Sequence, residues 1–263
     1  MTVAEAYGPR QAFGRAATTY DAHAGVQARV AREMLAQLAA QLPGRPPSRA
    51  LDLGAGTVPL ATELRAHWPQ THWLALDIAL PMLEEARRLK RLDEKLVPVC
   101  ADAMALPLAD ESLDLIVSSF ALQWCDDIAG AVREMHRVLR PGGVMALALP
   151  VAGTLCELAE SWAEVDDRPH TRALPATEHW LRELAEQDFV VQVRRQLIRE
   201  HYPDLAAVVR MLRGTGAHHV ERGPDTGLTG RRRLAALQQA YERRREAQGL
   251  PVTWQVMSVI GCK

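Results

Sequence analysis

The run Leu51-Asp52-Leu53-Gly54-Ala55-Gly56 joins a short aliphatic strand to a turn that two glycines dominate, and a helical pattern follows at about residues 59 to 67. Strand, glycine turn and helix in that order put main chain at the carboxyl end of a parallel sheet, where ligands of such folds lie. Glycine lets a ligand come against the backbone there, since a Cβ would block the approach. About 20 residues further on, a second aliphatic run ends in Asp77, whose carboxylate can accept both hydroxyls of a ribose. A third ends in Cys100-Ala101-Asp102, which can put another carboxylate near an adenine ring.

Outward from this stretch, short aliphatic runs alternate with longer helical patterns. Strands are predicted at about 49–53, 72–77, 96–100, 113–119 and 143–149, and helices at about 59–67, 80–91 and 126–140, the last stopping at Pro141-Gly142-Gly143. Right-handed crossovers turn that alternation into a doubly wound α/β sheet, mostly parallel, with helices on both faces. After Pro150 the alternation loosens into helices at about 153–164 and 177–187 and a strand at 189–199. Leu205, Val208, Val209 and Leu212 mark an amphipathic helix ended by Gly214, and a basic helix at about 229–247 precedes a final strand, Val252 to Ile260. Ahead of the first strand, Phe13, Ala16, Ala17 and Tyr20 recur at helical spacing and fall on one helix face, and a second helix runs from Val26 to Gln41. Pro43-Gly44-Arg45-Pro46-Pro47-Ser48 then breaks the chain. The expected organisation is one domain over 1–263, with a helical cap at 1–44, a cofactor-binding core at 45–150 and substrate-side additions at 151–263.

Bulk properties exclude several classes. With 263 residues, 48% of them apolar, the chain can fill one sizeable core, and neither disorder nor a mini-protein scaffold fits it. The first thirty residues carry no signal-peptide apolar stretch. The longest apolar run, Val144 to Ala152, falls far short of the roughly 20 residues of a membrane helix, so a cytoplasmic location without a membrane partner is expected. Cys100, Cys125, Cys156 and Cys262 stand far apart without a CxxC pair, which predicts four free thiols and no zinc or redox site. A formal net charge of -1 argues against a general nucleic-acid binder. Yet residues 190–247 hold twelve arginines against six acidic residues, while the rest holds 19 basic and 26 acidic residues. Solvated helix faces account for such a surplus, and so does a docking surface for an acidic partner.

A glycine turn of this kind also serves nicotinamide enzymes, but their G-x-G-x-x-G fingerprint needs glycine where Pro59 stands. By contrast, Asp52-Leu53-Gly54-Ala55-Gly56, Asp77, Asp102 and the Leu139-Arg140-Pro141-Gly142-Gly143 turn resemble, in order and at family spacing, motifs I, II, III and post-III of the class I S-adenosylmethionine-dependent methyltransferases. That resemblance covers about residues 45–150. It implies a Rossmann-like fold whose seven-stranded sheet is mostly parallel with an antiparallel last strand. It also implies S-adenosylmethionine as the cofactor, held by Asp52, Gly54, Gly56, Asp77, Ile78, Asp102, Ala103 and Ser119, and no metal. One position departs from the pattern. The family's D-x-G-x-G-x-G has its third glycine where this chain has Val58, followed by Pro59, which can push the next helix away from the cofactor's methionine end.

Outside that core, four segments are similar to the malonyl-acyl-carrier-protein O-methyltransferases of the biotin pathway. They are Phe13-Gly14-Arg15-Ala16-Ala17-Thr18-Thr19-Tyr20-Asp21, Gln123-Trp124-Cys125, Asp166-Asp167-Arg168-Pro169-His170 and Leu212-Arg213-Gly214-Thr215-Gly216-Ala217-His218. This second resemblance implies esterification of the free carboxylate of a malonyl thioester, with an acyl-carrier protein or coenzyme A presenting the malonyl group. What the sequence lacks agrees with that chemistry. A carboxylate is already ionised at neutral pH, so its methylation needs no general base, and the chain shows no catalytic His/Asp pair. Positioning then falls to Tyr20, which can hold the carboxylate or face a sulfonium, to Trp124 after the fourth strand, and to Arg168, whose fork can grip the malonyl carboxylate. Each has a plainer alternative: packing on Phe13 for Tyr20, a core indole for Trp124, an ion pair with Asp166 or Asp167 for Arg168. His170, His218 and His219 read as loop or cap histidines. Two other functions stay open, methylation of a small free acid or quinone precursor, and a non-catalytic binding protein on a decayed methyltransferase fold, which Val58 motivates.

Overall fold

The computed structural model describes residues 7–42, 46–217 and 230–263. Seven strands, β1 (Arg49–Leu53), β2 (His72–Asp77), β3 (Leu96–Cys100), β4 (Leu113–Ser119), β5 (Leu139–Pro150), β6 (Val190–Tyr202) and β7 (Leu250–Cys262), join in the order β3-β2-β1-β4-β5-β7-β6. The first five pair in parallel, and β7 inserts antiparallel between β5 and β6, as the class I methyltransferase arrangement requires. Around the sheet lie α1 (Tyr7–Ala16), α2 (Tyr20–His23), α3 (Gly25–Gln41), α4 (Ala61–His67), α5 (Leu80–Arg88), α6 (Ile128–Val138), α7 (Cys156–Ala163), α8 (Thr177–Glu186), α9 (Leu205–Gly214) and α10 (Arg231–Glu242).

Strand alternation explains the two layers. Leu51, Leu53, Met145, Leu147 and Leu149 project to one face, where they meet Val132 and Met135 of α6 and Trp180 and Leu184 of α8. Ala50, Ala75, Ala146 and Ala148 project to the other, and these small side chains let α3 pack in with Val30, Met34, Leu35 and Leu38. Each leucine so buried contributes roughly 1.5–3 kcal/mol. Both faces being covered is why these strands read as continuous apolar runs.

Three expectations are corrected. The cap is two helices where periodicity pointed to one: α1 stops at Ala16 and α2 opens at Tyr20. Thr19 Oγ1 fixes the turn between them, donating to Ala16 O (3.1 Å) and to Gly214 O (3.2 Å). Phe13, Ala17 and Tyr20 still meet, by folding onto Ala79 and Met82. Second, the helix after β1 begins at Ala61 instead of residue 59, because Val58 takes a left-handed φ of 54° and Pro59-Leu60 form a turn before helical geometry sets in. Third, Pro141-Gly142-Gly143 does not stop a helix. It belongs to β5, where Gly142 N donates to Lys263 O (2.9 Å) and Lys263 N donates to Gly143 O (3.0 Å). The helix ends earlier, at Val138, and Lys263 Nζ donates to the carbonyls of His136 and Leu139 (2.8 Å each). A cation at that end suits the exposed carbonyls.

Elsewhere boundaries move by a few residues, with α5 closing at Arg88, α10 spanning Arg231–Glu242, and β6 and β7 reaching Tyr202 and Cys262. The break at residues 43–45, His218 and His219 lie outside the described residues. All four cysteines are free thiols, and no described helix is long and apolar enough to cross a membrane.

Candidate active site

Strand ends of the parallel half converge on one cleft. Leu53 and Gly54 reach it from β1, Leu76, Asp77 and Ile78 from β2, Ala101, Asp102 and Ala103 from β3, and Phe120 and Ala121 from β4. The cap adds Pro9, Phe13 and Tyr20, and a 3-10 turn, Leu122–Trp124, closes the β4 side. Counted out to its mouth, open solvent included, the space is about 880 Å³.

The glycine turn is shaped by two constraints. Gly54 stands at φ 75°, where a Cβ would collide with that of Ala121, and the amides of Gly54 and Ala55 both donate to Leu76 O (2.8 and 2.9 Å). Gly56, at φ 55°, donates its N–H to Asp77 Oδ2 (2.8 Å), while Asp77 Oδ1 accepts from Ala79 N (2.8 Å). A Cβ on Gly56 would meet no protein atom within 4 Å, so the turn faces open space. A carboxylate has about four lone-pair sites, so the amide bonds to Asp77 still leave acceptor capacity for a ligand hydroxyl. Burial raises the pKa of Asp77 despite the amide bonds from Ala79, Gly56 and Ile78. Asp52, behind it in β1 and 7% exposed, is pushed up to about 7, by burial first and by the Asp77 charge second. Two buried carboxyls this close favour a ligand that brings donors or positive charge.

Tyr20, Gly54, Gly56, Asp77, Ile78, Asp102, Ala103 and Trp124, all singled out from the sequence, line this one cleft. Asp102 Oδ1 accepts from Met104 N (2.9 Å), and Ile78 and Ala103 follow the two aspartate-bearing strand ends. Asp52, Ser119 and Arg168 do not line it. Ser119 ends β4 with its Oγ buried and without a hydrogen-bond partner. Arg168 is exposed, in a loop that Asp166 shapes by accepting from Arg168 N (3.0 Å), pairing with His170 Nε2 (2.7 Å) and facing Arg233 (3.5 Å). His170 itself stacks on Trp162 at 3.6 Å.

Aromatic rings roof the cleft: Trp124 meets Phe13 edge to face at 5.3 Å, and Phe13 leans on Tyr20 at 6.5 Å. Burial, with Asp77 and Asp21 nearby, raises the Tyr20 pKa, so its phenol keeps the proton and acts as a donor. Burial and then Asp102 and Asp126 push the Cys125 thiol up to about 12, which leaves it neutral and unreactive. Among the described residues, no group of three or more His, Cys, Asp and Glu could hold a metal ion.

Sequence reasoning missed two features. Thr57, fully buried beside Gly56, donates Oγ1 to Asp21 Oδ1 (2.6 Å) and accepts from Arg91 Nη1 (3.2 Å), while Arg91 Nη2 pairs with Asp21 Oδ2 (2.6 Å). This triad ties α2 to the glycine turn, and its one local signal is that Asp21 follows Tyr20 and Thr57 follows Gly56. The other is Arg172, whose guanidinium lies 5.5 Å from the Trp124 ring centroid and 3.2 Å from Asp126. No local pattern points to it, because the approach of that loop to the 3-10 turn is purely tertiary.

Comparison with known proteins agrees with this geometry. A family model described as a methyltransferase domain matches residues 51–147. The malonyl-[acyl-carrier protein] O-methyltransferase of Alcanivorax borkumensis is 44% identical over 248 residues, covering 94% of this chain and 83% of that protein. The biotin biosynthesis bifunctional protein BioHC of Cellvibrio japonicus is 37% identical over 258 residues, which cover 96% of this chain and 49% of that protein. Among solved structures, the YcgJ protein of Bacillus subtilis superposes with a TM-score of 0.60 at 20% identity, over 88% of this chain and 98% of that one, a likeness of fold alone. With relatives so similar over nearly its whole length, the chain belongs to the malonyl-[acyl-carrier protein] O-methyltransferase family of methyltransferases.

Proposed function

We propose that the cleft binds S-adenosylmethionine and that the chain esterifies the free carboxylate of a malonyl thioester carried by an acyl-carrier protein, a step of biotin precursor synthesis in the cytoplasm. The observation that carries the reading is the convergence of Gly56, Asp77 and Asp102 with Tyr20 and Trp124 on one cleft, in a chain of this family. The residues fit the cofactor. Asp77 keeps acceptor capacity for a ribose hydroxyl, the turn at Gly56 faces open space, and two carboxylates with an aromatic roof suit a cation. When bound, S-adenosylmethionine supplies an electrophilic methyl group on a sulfonium.

Asp77 and Asp102 orient the nucleoside, and Ile78 and Ala103 flank it. Asp52 and Ser119 act from behind the wall, through the neighbouring Leu53 turn and Phe120. Tyr20, protonated, offers its hydroxyl to one oxygen of the acceptor carboxylate, leaving the other to attack. Phe13, Phe120 and Trp124 exclude water. No residue has to remove a proton, because the acceptor is ionised at neutral pH. Orientation of this kind can supply roughly 7–11 kcal/mol of the barrier.

Labelled S-adenosylmethionine offered with malonyl-acyl-carrier protein, malonyl-coenzyme A, free malonate and a quinone precursor tests the reading. Label in a base-labile ester on the malonyl thioesters is expected. Label on the free acid or the quinone precursor alone, or binding without transfer, overturns it.

A further inference from the structure

We propose that Arg172 recognises the carboxylate of the acceptor and thereby sets the preference for a malonyl end over a neutral acyl end. The inference deepens the functional reading above and rests on it. Arg172 belongs to the loop between α7 and α8, yet its guanidinium lies over the Trp124 ring at 5.5 Å and contacts Asp126 at 3.2 Å, and both Trp124 and Asp126 line the cleft. Its side chain is only 20% exposed. A guanidinium so enclosed is a fixed charge in a set place, not a mobile surface cation.

That placement answers an electrostatic problem. Among the described residues, the cleft lining contains no Lys, Arg or His but holds Asp77, Asp102 and Asp126. An anionic acceptor entering there meets three carboxylates and needs a cation at its own end. Arg172, itself just outside the lining, stands against that end through its contacts with Trp124 and Asp126, whereas Arg168 is exposed. The Trp124 indole N–H is buried and has no hydrogen-bond partner, a condition that native proteins rarely leave unmet. A carboxylate oxygen is an acceptor of the right kind for it. Guanidinium and indole N–H hold the carboxylate through the oxygen that Tyr20 also meets, leaving the other to attack, and the carboxylate exchanges with Asp126 for the guanidinium. Methylation then removes the negative charge, so the ester loses the interaction that held its precursor and a second methylation has no anion to act on.

The test compares wild type, Arg172→Gln, Arg172→Lys and Trp124→Phe, with a short malonyl thioester as acceptor and calorimetry for S-adenosylmethionine. Losing a charge-assisted contact should raise KM for the malonyl thioester by about tenfold or more in Arg172→Gln, with Arg172→Lys between. Cofactor affinity should stay within about twofold, since only the acceptor loses a contact. Inhibition by malonyl and acetyl thioester analogues, well separated in wild type, should converge in Arg172→Gln. Trp124→Phe keeps an aromatic ring for Phe13 but removes the N–H together with the five-membered half of the indole, so a raised KM there with cofactor affinity unchanged supports the inference even if Arg172→Gln folds poorly. Unchanged KM in Arg172→Gln, or cofactor affinity falling in step with it, overturns the proposal. A wild type that methylates malonyl thioesters while Arg172→Gln behaves identically removes only this proposal. A wild type that does not methylate them removes the functional reading as well.

Discussion

Val58 stands where the superfamily pattern has glycine, and it takes a left-handed φ of 54°. A β-branched residue there is a true outlier, strained by on the order of 1–3 kcal/mol. Complete burial beside Leu60 and Leu64 offsets that with about 1.5–3 kcal/mol. At an ordinary buried valine, glycine is a worse replacement than alanine. At this site the order should invert or vanish in denaturant unfolding, with Val58→Gly at least as stable as Val58→Ala; a clear advantage for alanine would mean the turn is unstrained. Asp52 makes a second test at this scale. Its folded pKa, raised from 3.8 to about 7, means the folded chain binds the extra proton between those values. The Asp52 contribution to stability without ligand is therefore full below about pH 4, falls away as pH rises to about 7 and levels off beyond, as linkage requires, whereas carboxylates held low by arginine partners, such as Glu134 and Glu164, contribute with the opposite sign toward acid. Asp52→Asn should remove most of that fall, gaining on the order of 2–4 kcal/mol at about pH 8, while Asp77, also raised, leaves some slope. A pH profile identical to wild type would show Asp52 ionised throughout.

At the scale of elements, the cap is held to the cofactor turn by Asp21, Thr57 and Arg91 as well as by ring packing. Thr57→Val preserves shape and deletes the hydroxyl that both donates and accepts. It should cost about 1–3 kcal/mol and speed tryptic cleavage at Arg15, the last basic residue of α1. Wild-type proteolysis in that variant would mean that Phe13 and Tyr20 alone hold the cap. What could be read in advance follows the same division. β1, β2, β3 and β4 were legible because each is a local aliphatic run closed by a turn, and so were the cleft residues at or just past a strand end, Gly54, Asp77 and Asp102. The cap break was not, since Thr19 turns the chain with help from Gly214 on a distant helix. Nor was the start of β5. Pro141-Gly142-Gly143 has the composition of a helix stop and becomes strand only by pairing with Lys263 at the far end of the chain. Arg172 escaped for that reason too: nothing near it in sequence says which ring it will cover.

For the whole molecule, the arginine surplus of residues 190–247 is smaller than composition suggests. Arg195, Arg199, Arg233, Arg243, Arg244 and Arg245 pair with Glu178, Glu246, Asp166, Glu164, Glu160 and Glu242 of the chain itself. Arg231 and Arg232 are exposed at the start of α10, which packs on α7, the helix that follows β5 at the carboxyl end of the sheet. Reversing these two to Glu should raise the apparent KM for a carrier-protein substrate and leave a short malonyl thioester nearly unchanged, and added salt should act the same way, since exposed charges are screened beyond about 8 Å. Equal responses of both substrates would assign the arginines to solvation. The account as a whole stands on one reaction, and intact-mass measurement of malonyl-acyl-carrier protein after incubation with the chain and S-adenosylmethionine reads it directly. A gain of one methyl group confined to the malonyl end, absent with acetyl-acyl-carrier protein, is the predicted result; an unchanged malonyl carrier while the protein demonstrably binds the cofactor, or a methyl group placed elsewhere, would contradict it.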